Sequence, residues 1–161
     1  MLNRLYIEKI AVIRRADIAL NGALTVITGE TGAGKSLLID SVNAVGGQRV
    51  SKELIRFGEN KAFVSAVFDC VPPTVRTILD ESGYDCEDDE LVLSREILSS
   101  GKSVARINGR PATAQLAQQI GELLINIHGQ HDNQVLLNEA RHTAILDTIG
   151  GYSELLESYR E

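Results

Sequence analysis

Residues 26–42 read VITGETGAGKSLLIDSV. Gly29, Gly34, Lys35 and Ser36 fill the spacing G-x-x-x-x-G-K-[ST], with Gly32 inside it. Each residue type has a chemical reason to be there. Glycines let the backbone turn tightly and bring its N–H groups against an anion without a side chain in the way. A helix that opens at Lys35 aims its unpaired N–H groups and positive dipole end at the same anion. The Lys35 ammonium suits the bridge between β- and γ-phosphates, and the Ser36 hydroxyl suits a magnesium ion. The phosphate cradle therefore comprises Gly29, Glu30, Thr31, Gly32, Ala33, Gly34, Lys35, Ser36 and Leu37. Two flanking elements must hold it in place. ALTVIT (23–28) is short, apolar and β-branched, which predicts a strand buried on both faces. KSLLIDSVNAV (35–45) spaces Leu38, Val42 and Val45 as one helical face, and Gly46-Gly47 stops it.

The rest of the chain supplies the frame. RLYIEKIAVIRRADIAL (4–20) alternates as two strands, and Asn21-Gly22 turns the chain. KAFVSAVFDC (61–70) is a further strand ended by Pro72-Pro73, and 73–84 is a short helix closed by Gly83. LVLSREI (91–97) and SVARIN (103–108) flank LSSGK as a hairpin, and Asn108-Gly109 turns again. TAQLAQQIG (113–121) predicts a helix capped by Thr113, ELLINI (122–127) a buried strand, HGQHDN (128–133) a polar loop, and 134–161 mostly helix. This order implies an α/β P-loop domain in which an antiparallel portion stands beside a parallel one in a mixed sheet.

Composition narrows the function. The chain has 161 residues, 43% apolar and 24% charged, which is enough for a real core. Its formal net charge of -6 argues against a basic sleeve for nucleic acid, so any DNA contact would come from a local patch or another part of a larger machine. The N-terminus lacks a signal-peptide apolar core and no run is long enough to span a membrane, which predicts a cytoplasmic protein with no membrane partner. Cys70 and Cys86 have no metal-ligand spacing. Asn60-Lys61 is followed by Ala62-Phe63, so the Asn-Lys-x-Asp guanine reader of GTPases is absent, and no arginine-rich lid of a small-molecule kinase is visible. His128, His131 and Asp132 lack the partners of a zinc site.

GETGAGKSLLIDSVNAVGGQR (29–49), INGRPAT (107–113) and INIHGQHDNQVLL (125–137) together resemble the N-terminal head segment of the RecN family, bacterial DNA-repair ATPases related to the SMC proteins. The resemblance extends over essentially the whole chain. It implies the N-terminal lobe of an ABC-type ATPase head, with ATP and Mg²⁺ as cofactors. It implies that Gln130 is the glutamine that touches Mg²⁺ and the attacking water, so that Lys35 and Gln130 would carry catalysis and Ser36 and Gln130 the metal. It places an arginine near the phosphates, for which Arg49 and Arg56 are candidates, and leaves Arg14 and Arg15 as weaker candidates beside the nucleoside. It also implies a second ATPase head as partner, both as the chain's own C-terminal lobe and as a homodimer, contact with DNA through the intact protein, and a nucleoid-associated location in a bacterial cytoplasm.

Two parts that such ATPases need are not in the sequence. No apolar strand ending in Asp-Glu appears: TAILD (143–147) is followed by Thr148, and its neighbours space as a helix. No Ser-Gly-Gly signature appears either. The expectation is therefore a first lobe over 1–150 and the start of a helical coiled-coil arm over 151–161. Such a lobe alone would bind nucleotide loosely at most and would not turn it over. The intact protein would couple ATP hydrolysis to recombinational repair of DNA double-strand breaks. The competing readings are a free-standing P-loop kinase and a non-catalytic nucleotide-binding scaffold.

Overall fold

The computed structural model describes residues 1–20, 24–30, 34–86, 89–127, 146 and 150. The chain divides into two compact units, Met1–Asn126 and Ile127–Glu161, and the first of them holds the sheet. Its strands are β1 (Leu2–Ile10), β2 (Ile13–Ala19), β3 (Lys61–Phe68), β4 (Leu91–Leu98), β5 (Ser103–Ile107) and β6 (Arg110–Ala112). They form one sheet in the order β2-β1-β3-β4-β5-β6, and every pairing among them is antiparallel. Among the described residues of this unit there are three helices: α1 (Lys35–Val45), α2 (Pro73–Glu81) and α3 (Ala114–Leu124). A single 3-10 turn at Lys52–Leu54 lies between α1 and β3.

Period-two alternation builds the sheet. In β3, Ala62, Val64, Ala66 and Phe68 point inward and are fully buried, while Phe63, Ser65 and Val67 face outward. Leu5 and Ile7 of β1, Leu91, Leu93 and Ile97 of β4, and Ile107 of β5 join them. α1 packs against β1, β3 and β4, and α3 against β5. Each large apolar side chain buried this way contributes about 1.5–3 kcal/mol of transfer free energy. The β5–β6 turn follows from its sequence: Asn108 at φ 47° and Gly109 at φ 79° supply the two positive φ values of a tight two-residue hairpin turn. Thr113 caps α3 as its type and position require, its hydroxyl accepting from the Leu116 N–H at 3.2 Å.

One inward position of β4 breaks the apolar pattern. Arg95 is only 6% exposed. Its Nη1 donates to the carbonyls of Ala44 at 3.1 Å and Gln48 at 2.6 Å, and its Nε and Nη2 to the Ser103 hydroxyl at 3.2 and 2.9 Å. Burial pushes the guanidinium pKa down from its ordinary value.

Two expectations about strands need correction. Residues 24–30 carry no strand; Leu24 is 83% exposed, Val26 72% and Ile27 48%. A strand exists only where a neighbour completes its ladder, and no described strand lies beside this segment. The parallel portion expected of the sheet is therefore not formed among the described residues. The second correction concerns 122–127. α3 runs through Gly121 to Leu124, and Leu123 is 47% exposed. Gly121 does not stop the helix, because its place is set by packing: a Cβ there would lie 2.7 Å from the Gly46 Cα. The spacing Ala117, Ile120, Gly121 is one helical face, and it overrides the strand-like composition of the next residues.

Candidate functional site

Gly29, Glu30, Gly34 and the start of α1 are the described part of the candidate site. Gly34 precedes the helix at φ 96°, a conformation that favours glycine, and its carbonyl accepts the N–H groups of Leu37 at 3.0 Å and Leu38 at 3.3 Å. No side chain caps α1 and no acidic residue sits in its first turn. The helix thus presents a positive end that nothing of its own neutralises. Lys35 is the first helical residue. Its ammonium folds back over the loop and donates to the carbonyls of Gly29 and of Glu30, the latter at 2.9 Å. No carboxylate among the described residues pairs with it. Ser36 is exposed. A cation fixed by neutral carbonyls, an accessible hydroxyl and a helix N-terminus thus share one short segment. This donor set fits the phosphates of a nucleotide with a hard divalent ion, which the exposed Ser36 hydroxyl would be the residue of this loop to hold. Thr31, Gly32 and Ala33 lie outside the described residues, as do Gln130, residues 151–161, where an arm is expected, and His128 and His131.

The β1–β2 turn stands beside the loop. A Cβ on Gly34 would lie 3.9 Å from the Val12 Cγ2. Arg56 fastens this turn, with Nη1 donating to the carbonyls of Ala11 at 3.1 Å and Val12 at 2.9 Å and its N–H donating to the Lys9 carbonyl at 2.9 Å. Arg56 therefore braces the wall of the site through main-chain bonds. Arg49 is placed differently. It lines a cavity of about 440 Å³ with Ala11, Leu37, Asp40, Asn43 and Leu54, and Leu37 directly follows Ser36 along α1. Arg15 lies over the Tyr6 ring, 5.4 Å from its centroid, on the outer face of the sheet. Of the arginine candidates, Arg49 and Arg56 flank the loop region, and Arg15 is engaged elsewhere.

Sequence reasoning misses Arg95, although the signal is present: in the alternation Leu91, Leu93, Arg95, Ile97 a charged residue occupies a core-facing position. Among the described residues no group of three or more His, Cys, Asp or Glu side chains is arranged to hold a metal by itself. No described helix is long and apolar enough to cross a membrane. Cys70 and Cys86 are free thiols.

Residues 4–68 match a family model described as an AAA domain. The chain is 41% identical over 165 residues to DNA repair protein RecN of Bacillus subtilis, covering 100% of this chain and 28% of that protein. It is 37% identical over 160 residues to DNA repair protein RecN of Vibrio cholerae serotype O1, covering 99% and 29%. The chain thus spans under a third of the length of these curated relatives. Among solved structures it resembles an Smc head domain with a coiled coil from Pyrococcus yayanosii, with a TM-score of 0.71, 21% identity, and coverage of 95% of this chain and 32% of that one. It also resembles the recombination mediator RecF bound to ATP, with a TM-score of 0.63, 18% identity, and coverage of 84% and 33%. The chain shares its fold with part of the Smc head domain and part of RecF.

Proposed function

We propose that this chain, which belongs to the RecN family by similarity along its whole length, is the first lobe of an ATP-binding head. Its lobe occupies 1–150 and a helical arm opens over 151–161. The carrying observation is the Lys35 ammonium at the N-terminus of α1, held by the Gly29 and Glu30 carbonyls and facing no carboxylate among the described residues. The loop amides and the first turn of α1 bind and orient the phosphates. Lys35 leaves its carbonyl partners for stronger, charge-assisted bonds to phosphate oxygens. Ser36 and Gln130 are the residues that would hold magnesium, which when bound neutralises charge on the β- and γ-phosphates. Gln130 would also orient the attacking water.

The exposed segment 24–30 supports a lobe that is completed by further chain. Its apolar faces and backbone groups require a strand beside them, and a RecN-length protein has more than two-thirds of its residues available to provide one. The intact protein would be an ATPase whose heads pair around nucleotide, in the bacterial cytoplasm, and whose turnover drives work on broken DNA during recombinational repair.

The test is titration of the full-length protein with ATP and magnesium, followed by calorimetry. The wild type should bind stoichiometrically, and Lys35→Ala should lose most of the affinity. Equal binding by both would remove the loop from the site.

A further inference from the structure

We infer that Arg95 is a positioning residue of the nucleotide site, acting from the far end of the helix that carries Lys35 and Ser36. This deepens the reading of residues 29–37 as that site and rests on it.

The observation is a cation in a core. Arg95 shares the inward row of β4 with Leu91, Leu93 and Ile97, all at 1% exposure or less. No ion pair is made to it among the described residues. An apolar side chain of similar volume would sit there at lower cost, since a buried cation must recover its lost hydration from its surroundings. Arg95 recovers it from two places, the end of α1 and Ser103. The Ala44 carbonyl belongs to the last turn of α1, where the helix dipole is negative, and the Gln48 carbonyl lies three residues past the helix end. Ser103, on the paired strand β5, aims the guanidinium by accepting from Nε and Nη2. The charge thus pins the C-terminal end of α1 to the middle of the sheet. It also sets the path of the chain into Arg49, Val50 and Leu54, which wall the cavity beside Leu37.

The lever is short and stiff. α1 has 11 residues, so its first turn lies about 15 Å from the pinned end. A tilt of about 5° there displaces Lys35 and Ser36 by about 1.3 Å, and a misplacement of that size costs on the order of 10²-fold in rate. An arginine at this position fixes both the angle of the helix and its rotation, because its planar fork fixes the directions of its bonds.

The experiment compares full-length wild type with Arg95→Met, Arg95→Lys and Ser103→Ala, using Lys35→Ala as the site control. The readouts are the unliganded melting temperature, the Kd of a fluorescent ATP analogue with magnesium, and the KM and kcat for ATP. Arg95→Met should fold, with a far-ultraviolet spectrum like wild type, bind ATP at least tenfold more weakly and show a raised KM. Arg95→Lys should recover part of that loss. If Arg95→Met does not fold, Ser103→Ala decides: it keeps the cation, loses its aim, and should bind about threefold more weakly at an unchanged melting temperature. Wild-type Kd and KM in whichever variant folds would make Arg95 a strut of the fold and overturn the inference. Normal ATP binding by Lys35→Ala would instead defeat the site reading itself, separately from any Arg95 result.

Discussion

In the proposed site, Lys35 is the side chain that would carry most of the phosphate chemistry. It spans the loop by bonding to Gly29 and Glu30, so its ammonium is already near the space that phosphate oxygens would occupy. Because those partners are loop carbonyls and not core groups, Lys35→Ala should change unliganded stability by less than about 0.5 kcal/mol. It should weaken ATP binding by about 1.5–3 kcal/mol, the worth of a charged hydrogen bond, and abolish turnover. Thermal melting with and without ATP and magnesium measures the first two effects, and a phosphate-release assay the third. Gln130→Ala makes a contrasting prediction. A neutral amide that orients water should affect the reaction more than the grip, so Kd should stay within about threefold of wild type while kcat falls on the order of 10²-fold. Single-turnover hydrolysis beside equilibrium binding separates the two, and a collapse of binding would assign Gln130 a structural role.

At the scale of elements, α1 is held at three points. Gly34 lies against Val12, Arg95 binds the carbonyl of Ala44, and Gly46-Gly47 sits directly on α3. The last contact is backbone against backbone: a Cβ on Gly47 would lie 2.8 Å from the Ala117 carbonyl carbon, and one on Gly121 2.7 Å from the Gly46 Cα. Gly121→Ala would favour an isolated helix by about 1 kcal/mol. Here steric overlap wins, and the substitution should destabilise the protein by about 2 kcal/mol in urea unfolding. This seam explains which parts of the fold were legible in the sequence. Alternation gave β1 to β5, and turn chemistry gave the Asn108-Gly109 turn and the Thr113 cap, because those signals are local, while the short β6 that follows the turn was not foreseen. Gly121 misled, since a glycine that admits a neighbouring backbone has the same letter as one that ends a helix. ALTVIT misled for a related reason: its composition reports a strand, while pairing depends on residues elsewhere. The start of α1 at Lys35 was legible, because Gly34 and the helical spacing after it are local signals. Arg95 was legible only as an exception to a period, and its partners Ala44 and Gln48 lie 51 and 47 residues away in sequence.

For the whole molecule, the sheet and its three helices form a core that needs nothing from residues 24–30, while those residues lack a partner strand among the described ones. The 161-residue chain should therefore fold and bind nucleotide when produced alone, yet release no phosphate above background in a steady-state assay. The full-length protein should hydrolyse ATP under the same conditions. Measurable turnover by the short chain would show that it contains a complete catalytic centre. The bare segment has a further consequence, which concerns time. Ribosomes deliver a chain in order, and in the Bacillus subtilis relative the matching 165 residues are 28% of the total. At about 10 residues per second, the remainder takes on the order of 40 s to emerge. In a chain of that length Leu24, Val26 and Ile27 would stand open through that interval, inviting another nascent copy to pair with them. Dense polysomes would make that encounter frequent, so holding chaperones that shield apolar segments during translation should raise the yield of soluble protein.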